Sequence, residues 1–424
     1  MIAVLGLWHL GCVTAACCAE HFKTVGVTNN EKEITSLLSG KAPVFEPGLN
    51  ELIKDQIQNG QLTFSTPSKE AFSKTRLLWV TYDTPVDQDD VADVDYVLDQ
   101  IRRTAPLLNP GTVVLISSQL PVGSIKLLEK EFSEQGLDFA CSPENLRLGK
   151  ALEIFKNPDR IVIGIRDEKS RPLLQSVLEK FSNQLIWMSI ESAEMTKHAI
   201  NSFLALSVAF ANELAGLCEA TGANAHEVVR GLKSESRIGP RAYLAPGGAF
   251  AGGTLARDVQ FLTKLGKSFN QPFHLIPAIL KSNDVHKDWV FSKLNQVYKN
   301  LSKKKITILG LTYKPNTNTL RRSSALELCQ KLIALDALVF AFDPAVPEHQ
   351  PELGKIELKK SAEEALSQSD AALIMTEWPE FKNLDWEYLV STMSNKLIID
   401  QNQFCGEVLG TISQLTYLSV GIPS

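Results

Sequence analysis

The strongest constraint on the fold is an alternation of short apolar runs with helix-like segments in the first 190 residues. Apolar runs with the length of a buried strand occur at 2–6, 24–27, 77–82, 113–117 and 161–165. Segments with helical spacing of apolar residues lie between them, for example at 31–39 and 96–107. Because neighbouring parallel strands need a crossover helix, this alternation predicts a doubly wound, mostly parallel α/β sheet.

From about Ile190 the pattern changes to long helical runs without strands, beginning with 192–221. A helix of about 30 residues is about 45 Å long, which suits a connector between two domains or a dimer interface. After the polar stretch 300–305, strands are predicted at 306–309, 338–342, 371–375 and 396–400, with a helix at 323–335. The fold class is therefore α/β, with doubly wound domains at 1–190 and 301–424 joined by a long-helix central domain at 191–300.

The composition narrows the class of partner. The chain is 44% hydrophobic and 21% charged, with a net charge of −5, and this mildly acidic balance gives no support for nucleic acid or an anionic membrane as partner. The histidines are scattered and no Cys/His ligand spacing is present, so we expect no metal site. The seven cysteines form no C-x-x-C pair and lie mostly in apolar runs, which favours buried, reduced thiols in the cytoplasm.

The apolar N-terminus needs a separate interpretation, because the first charged side chain is Glu20. Residues 1–19 have no basic n-region and are interrupted by His9 and Thr14, so they fit a strand, a turn and a helix better than a signal peptide. We also expect no segment with the roughly 18 apolar residues of a membrane span.

The first predicted strand leads into G-L-W-H-L-G, from Gly6 to Gly11. A dinucleotide-binding fold uses G-x-G-x-x-G here: one glycine for the turn, one so that the backbone can approach the pyrophosphate, one for helix packing. The middle position is Trp8, and the end of the second strand, where an acidic residue holds the ribose hydroxyls, is Thr28. Two interpretations stay open: a Rossmann-like domain that binds a dinucleotide, and one that binds it poorly or not at all.

Several segments together resemble the UDP-glucose/GDP-mannose dehydrogenase family. They are P-V-F-E-P-G-L at 43–49, S-S-Q-L-P-V-G at 117–123, S-P-E-N-L-R at 142–147, P-D-R-I-V-I-G at 158–164, A-E-M-T-K-H-A-I-N-S-F-L-A at 193–205, A-F-A-G-G-T-L-A-R-D at 249–258 and G-L-T-Y-K-P-N-T-N-T-L-R at 310–321. The resemblance runs from residue 1 to about 405. It implies two Rossmann-like domains, and twofold oxidation of the 6-hydroxyl of a nucleotide sugar with NAD through a cysteine thiohemiacetal.

The resemblance assigns five catalytic positions. Thr254 stands where the family has its nucleophilic cysteine, and Glu144 takes the place of the glutamate that handles water and protons. Lys197 and Asn201, which would hold the oxyanion and the water, are four residues apart and so share one helix face. A fixed cation and a donor there would stabilise a developing alkoxide. Asp258 is retained.

The resemblance also implies cofactor-binding residues. These are Gly6, Trp8, Gly11, Thr28 and Gln119, the last replacing a threonine that helps hold the catalytic water. Thr28 replaces the acidic residue that binds the ribose, so the expected cofactor is NAD with NADP not excluded.

The implied substrate is a nucleotide sugar, with a UDP-sugar favoured and a role in polysaccharide biosynthesis. The residues expected to bind it are Arg237, Phe250, Gly252, Lys314 and Arg321. In the family, the arginine at the position of Arg237 reaches the neighbouring subunit, which implies a homodimer.

Four departures from the family coincide at the expected reaction centre: Trp8, Gln119, Leu148 and Thr254. Three hypotheses follow. The chain is a dehydrogenase that transfers one hydride or works without covalent capture, a nucleotide-sugar binding protein without turnover, or a four-electron dehydrogenase that reaches the uronic acid without the cysteine. Retention of Glu144 and Lys197 favours the first, since a binding protein has no need of an oxyanion site.

Overall fold

A computed structural model describes residues 1–85, 92–144, 146–251, 253–347 and 350–423. The chain divides into two compact units, Met1–Ile200 and Asn201–Ser424. Each unit contains one sheet with helices packed against it.

The first unit contains an eight-stranded sheet with the order β3-β2-β1-β4-β5-β6-β7-β8. Its strands are β1 Ile2–Leu5, β2 Thr24–Val27, β3 Leu62–Ser65, β4 Leu77–Val80, β5 Val113–Ile116, β6 Asp138–Cys141, β7 Ile161–Ile165 and β8 Leu185–Met188. All neighbours pair in parallel except β6 and β7. The strand order reverses between β1 and β4, which is where doubly wound folds bind ligands.

The helices of the first unit cover both faces of this sheet. They are α1 His9–Ala19, α2 Glu31–Leu38, α3 Leu49–Gln58, α4 Lys69–Phe72, α5 Val94–Thr104, α6 Ser124–Glu131, α7 Ala151–Lys156, α8 Arg171–Leu178 and the beginning of α9 Ile190–Thr221. Two large apolar clusters, built on opposite sides of the strands, form the core.

Most of the sequence predictions for this unit are confirmed. The strands predicted at 24–27 and 161–165 match, while three others end one or two residues earlier. The helix predicted at 96–107 begins at Val94 and continues after Thr104 as a 3-10 turn, Ala105–Leu107. The N-terminal strand, turn and helix are confirmed, and the apolar composition of α1 is explained because ten of its eleven residues are buried. All seven cysteines are free and buried.

The second unit begins with helices and ends with a parallel sheet. After α9 come α10 Ala225–Ser234, α11 Thr254–Ser268, α12 Leu275–Lys287 and α13 Trp289–Val297. The sheet has the order β11-β10-β9-β12-β13-β14, with β9 Lys305–Leu309, β10 Leu338–Phe342, β11 Glu357–Leu358, β12 Ala371–Ile374, β13 Leu397–Asp400 and β14 Thr416–Leu418. Its helices are α14 Ser324–Ala334, α15 Ala362–Leu366, α16 Trp386–Thr392 and α17 Gly406–Leu409.

This arrangement confirms the predicted fold class: two doubly wound α/β parts and a long-helix region between their sheets. Between β8 and β9 the described residues form helices and loops without a strand, as predicted. The domain boundaries 1–190, 191–300 and 301–424 stay a prediction.

Helix α9 corrects one expectation. Its 32 residues contain an 18-residue window with a mean hydropathy of 1.4, so by length and composition it could cross a membrane. The prediction that no segment is apolar enough to span a membrane is therefore wrong for this helix. Its alanines raise the mean hydropathy although they form no continuous run of large apolar residues, which is why the sequence pattern did not show it. Some of the apolar residues of α9 pack inside the protein, since Ala205, Ala209 and Ala215 are buried. The core helix of a soluble protein can have the same length and composition.

Candidate active site

The glycine loop after β1 shows which of its positions the backbone requires to be glycine. Gly6 has φ +96°, and a Cβ there would lie 2.7 Å from the Tyr82 ring. A Cβ on Gly11 would lie 1.7 Å from the carbonyl oxygen of Gly6, so α1 packs on β1 only without a side chain. Trp8, the N-cap of α1, has φ −87° and ψ −153°, an extended conformation open to any residue. The loop therefore keeps the backbone that a dinucleotide needs, but with an indole at its middle position.

A groove of about 1110 Å³ borders this loop. Trp8, 49% exposed, and Thr28 both line it, together with Tyr82 and Tyr96. The two tyrosine rings meet edge to face with centroids 5.8 Å apart. The structure thus brings the predicted cofactor residues Trp8 and Thr28 to one groove at the reversal of strand order, and its size and aromatic walls fit a dinucleotide.

Glu33, which the sequence reasoning missed, also lines this groove. The Thr28 hydroxyl donates a hydrogen bond to Glu33 Oε2 at 2.8 Å. The available signal was the pattern Asn30-x-x-Glu33 at the start of α2, where Asn30 caps the helix by accepting from the backbone N–H groups of Lys32 and Glu33.

A second group of predicted residues meets in a small pocket of the first unit. Lys197 Nζ donates to the carbonyl oxygen of Glu144 at 2.6 Å and lies 3.8 Å from Glu144 Oε1. These two residues and Gln119 line a cavity of about 20 Å³, which is room for about one water molecule. Ser118 Oγ, also in this lining, is buried without a hydrogen-bond partner among the described residues. Lys197 is 7% exposed, so its ammonium group is held inside the protein at this pocket.

Glu46 anchors the loop that carries Glu144. Its side chain is 1% exposed and accepts hydrogen bonds from the backbone N–H groups of Gly149 and Ala151, both at 2.8 Å. His9 Nε2 lies 2.9 Å from the same carboxylate. Glu46 belongs to the P-V-F-E-P-G-L segment, whose turn-like composition gave no indication of a contact with residues about 100 positions away. Leu148, at the family's second glutamate, is 39% exposed.

Two more of the predicted catalytic residues, Asn201 and Asp258, meet in the second unit. Asn201 Nδ2 donates to Asp258 Oδ2, which brings α9 and α11 together. Asp258 is fully buried and Asn201 is 6% exposed. Lys197 and Asn201 both lie on α9, one turn apart and both buried, as their spacing predicts.

Thr254 is the first residue of α11 and is exposed. The residue before it, Gly253, has φ +102°, a conformation that favours glycine. Among the described residues, no carboxylate or imidazole accepts a hydrogen bond from the Thr254 hydroxyl. The helix N-terminus favours a nearby negative charge, but an alcohol becomes a nucleophile only with a base to take its proton. The position keeps its place at the beginning of α11, and its side chain is an alcohol where the family resemblance implies a thiol.

The loop before Thr254 is held by side-chain amides and a histidine. Asn283 binds both backbone groups of Phe250: its Oδ1 accepts from the N–H at 2.9 Å and its Nδ2 donates to the carbonyl at 2.8 Å. His286 Nε2 lies 2.7 Å from the carbonyl oxygen of Gly247, and burial lowers the pKa of His286 below its ordinary value. Sequence reasoning missed these anchors because isolated Asn and His residues on a helix carry no pattern. The predicted residue Gly252 lies outside the described residues.

The predicted substrate residues Lys314 and Arg321 lie in the loop that follows β9. Buried Asp343 fixes the base of this loop by accepting from the backbone N–H groups of Leu311 and Thr312 at 2.7 and 3.0 Å. Arg322, missed by the sequence reasoning, brings Nη1 to within 2.9 Å of the position that a Cβ on Gly253 would occupy. This loop therefore reaches the N-terminus of α11 within the second unit.

Arg237 stands apart from the other predicted residues of its unit. Its side chain is 87% exposed and pairs with the neighbouring Glu235 at 3.0 Å.

The described residues contain no group of three or more His, Cys, Asp or Glu side chains placed to hold a metal ion.

Comparisons with known proteins identify the family of this chain. Three domain profiles of the UDP-glucose/GDP-mannose dehydrogenase family match the chain: the NAD binding domain over 1–182, the central domain over 191–285 and the UDP binding domain over 307–407. The chain is 33% identical to UDP-glucose 6-dehydrogenase TuaD of Bacillus subtilis, over 100% of this chain and 93% of that protein. It is also 33% identical to the UDP-glucose 6-dehydrogenase of Rhizobium meliloti, over 100% and 99%.

Solved structures show the same fold. A UDP-glucose dehydrogenase from Pyrobaculum islandicum superposes with a TM-score of 0.86 at 27% identity, covering 99% of this chain and 97% of that one. A UDP-D-ManNAc dehydrogenase from Pyrococcus horikoshii gives 0.84 at 26% identity, covering 99% of both chains. With the profiles and the full-length relatives, these matches show that the chain belongs to the UDP-glucose/GDP-mannose dehydrogenase family.

Proposed function

We propose that this protein is an NAD-dependent dehydrogenase that oxidises the C6 hydroxyl of a UDP-sugar to the aldehyde, without a covalent thiohemiacetal. Family membership and the curated relatives, which are UDP-glucose 6-dehydrogenases, support the reaction class. The UDP binding domain profile over 307–407 supports a uridine nucleotide as the carrier of the sugar.

The first oxidation needs three things from the protein: a site for the dinucleotide, a base for the hydroxyl proton and stabilisation of the developing alkoxide. A dinucleotide held in the groove at Trp8 and Thr28 would take up the hydride from C6, while the hydroxyl proton would pass to a base as the carbonyl forms. The buried ammonium group of Lys197 supplies the positive charge for the alkoxide. Glu144, whose carboxylate lies 3.8 Å from Lys197 Nζ, is the base within reach of that charge. Asn201 and Asp258 complete the predicted set with a donor and a second carboxylate.

The observation that carries the finer proposal is the chemistry of residue 254, a threonine where the family has a cysteine. An alcohol becomes a nucleophile only with a dedicated base, so we propose that the covalent step of a thiolate does not occur here. Without that step, the second oxidation requires the free aldehyde to hydrate. The water-sized cavity at Lys197 and Glu144 is lined by Gln119 in place of a threonine, and Leu148 replaces a glutamate of the same loop. We therefore propose that the reaction stops at the aldehyde.

The experiment measures reduced nicotinamide formed per nucleotide sugar, with a panel of UDP- and GDP-sugars. The expected result is reduction that stops at one equivalent, with an aldehyde that hydroxylamine traps. Lys197→Met should abolish turnover while calorimetry still detects dinucleotide binding. Two equivalents and a uronic acid from the unmodified protein would overturn the proposal in favour of the four-electron route. Sugar binding without reduction would identify a binding protein.

We further propose that the protein is a homodimer through α9. Phe203, Phe210 and Leu217 are 66%, 49% and 64% exposed, and their spacing of seven residues places them on one face of the helix. An exposed apolar stripe of this kind is typical of an interaction surface. Arg237, with its exposed side chain, would then be available to the substrate of the partner subunit.

A further inference from the structure

The end of β2 lacks the carboxylate that dinucleotide-binding folds place there. In such folds an acidic residue at this point accepts hydrogen bonds from the ribose hydroxyls of NAD and repels the 2′-phosphate of NADP. Here the position is Thr28, 6% exposed, whose hydroxyl carries no charge. From the sequence, this loss left NADP possible as cofactor.

Glu33 places a carboxylate next to Thr28, at the end of β2. It comes from the first turn of α2, five residues later, and both of its oxygens are held. Oε2 accepts from the Thr28 hydroxyl at 2.8 Å, and Oε1 accepts from Asn30 Nδ2 at 3.0 Å. These two bonds fix the carboxylate directly beside the end of β2, where the ribose-binding group is required.

Glu33 lines the groove and is less exposed than the two residues before it on α2. Glu33 is half-buried, whereas its neighbours Glu31 and Lys32 are exposed. Its charge acts on groups of the groove and the glycine loop: the pKa of Cys12 on α1 is raised to about 12, first by burial and then by Glu33. The pKa of Tyr82 is also raised, first by burial and then by Tyr96 and Glu33. The negative charge of Glu33 therefore acts on α1 and on Tyr82, which follows β4.

We propose that Glu33 is the carboxylate that binds the adenine-side ribose hydroxyls and selects NAD over NADP, with Thr28 as the residue that positions it. The inference rests on the proposed use of a dinucleotide. A 2′-phosphate at this point would stand against a fixed negative charge. Lys32 and Arg103 also border the groove, but both are exposed and screened by solvent, so the direct contact with Glu33 decides the preference.

The test is calorimetric titration of the full chain with NAD⁺ and with NADP⁺. The unmodified protein should prefer NAD⁺. Glu33→Gln should weaken NAD⁺ binding by about tenfold or more, because bonds from the ribose to a charged acceptor are lost, and it should raise the relative affinity for NADP⁺. Thr28→Val keeps the charge and removes the bond that places it, so it should weaken NAD⁺ binding less than Glu33→Gln. Glu51→Gln, the same change at an exposed site in the first turn of α3 and outside the residues that line the groove, is the matched control and should leave both affinities unchanged.

The outcomes separate this inference from the proposed function. If the unmodified protein binds NAD⁺ and Glu33→Gln leaves the NAD⁺ to NADP⁺ ratio unchanged, the assignment of Glu33 is wrong and the proposed function stands. If the unmodified protein binds neither nucleotide, both are overturned. An unchanged far-ultraviolet spectrum and melting temperature in Glu33→Gln would exclude misfolding as the cause of a lost affinity.

Discussion

Replacing Glu46 by glutamine should destabilise the first unit out of proportion to the size of the change. The carboxylate accepts from two backbone N–H groups, those of Gly149 and Ala151, one on each oxygen, and it lies beside His9. A glutamine has the same shape but only one acceptor oxygen. One of the two N–H groups then faces an NH₂ group in a site that is 1% exposed.

The magnitude follows from these contacts. A hydrogen bond to a charged acceptor contributes about 1.5–3 kcal/mol to stability. A buried N–H group left without an acceptor destabilises the folded state by about 1–3 kcal/mol. The expected loss for Glu46→Gln is therefore about 2–3 kcal/mol, and for a unit of about 200 residues this lowers the melting temperature by about 4–12 °C. Since the loop that Glu46 holds carries Glu144, turnover should fall as well.

Differential scanning calorimetry of the full chain measures this effect. The matched control is Glu153→Gln, the same substitution at an exposed site on α7, which should change stability by less than about 0.5 kcal/mol. If Glu46→Gln and Glu153→Gln melt at the same temperature, the argument that Glu46 holds the loop is refuted.

Three further predictions follow from the site and its surroundings. Thr254→Cys should restore at most a trace of uronic acid, measured by product analysis, because other departures from the family remain; full four-electron turnover would contradict this. Phe203→Asp combined with Phe210→Asp should convert a dimer to a monomer in sedimentation, whereas a monomeric unmodified protein would remove the proposed interface. Burial lowers the pKa of His286 below 6.5 in the folded state, whereas the unfolded chain keeps the ordinary value. The unfolded chain therefore binds the proton more readily, and the folded state loses stability as the pH falls below about 6.5. His286→Gln should therefore lose less stability on acidification in calorimetric melts, and equal losses would contradict the role of this titration.

The sequence predicted the parts of the fold that local pattern determines. Strands such as β2 and β7 are almost entirely buried and so form continuous apolar runs. The strands β3 and β8 were missed because they lie at the edges of the sheet and are partly exposed, which leaves no such run. The internal strand β6 was also missed, because Asp138 leaves only three apolar residues in it.

The same distinction applies to the site. The shared helix face of Lys197 and Asn201 follows from the helical period alone. The contact of Glu46 with Gly149 spans 103 residues, and that of Asn283 with Phe250 spans 33. Such contacts depend on how helices, strands and loops pack together, and no local sequence pattern predicts them.

The glycine loop after β1 has a consequence for how this protein can evolve. At Gly6 and Gly11 the backbone itself excludes a side chain, so substitution there endangers folding before it affects any ligand. At position 8 the extended backbone accepts a tryptophan without strain. The fold therefore requires glycine at two positions of the motif and places no such requirement on the third. If residue 8 contacts the cofactor as proposed, single mutations there would change cofactor affinity at little cost to folding.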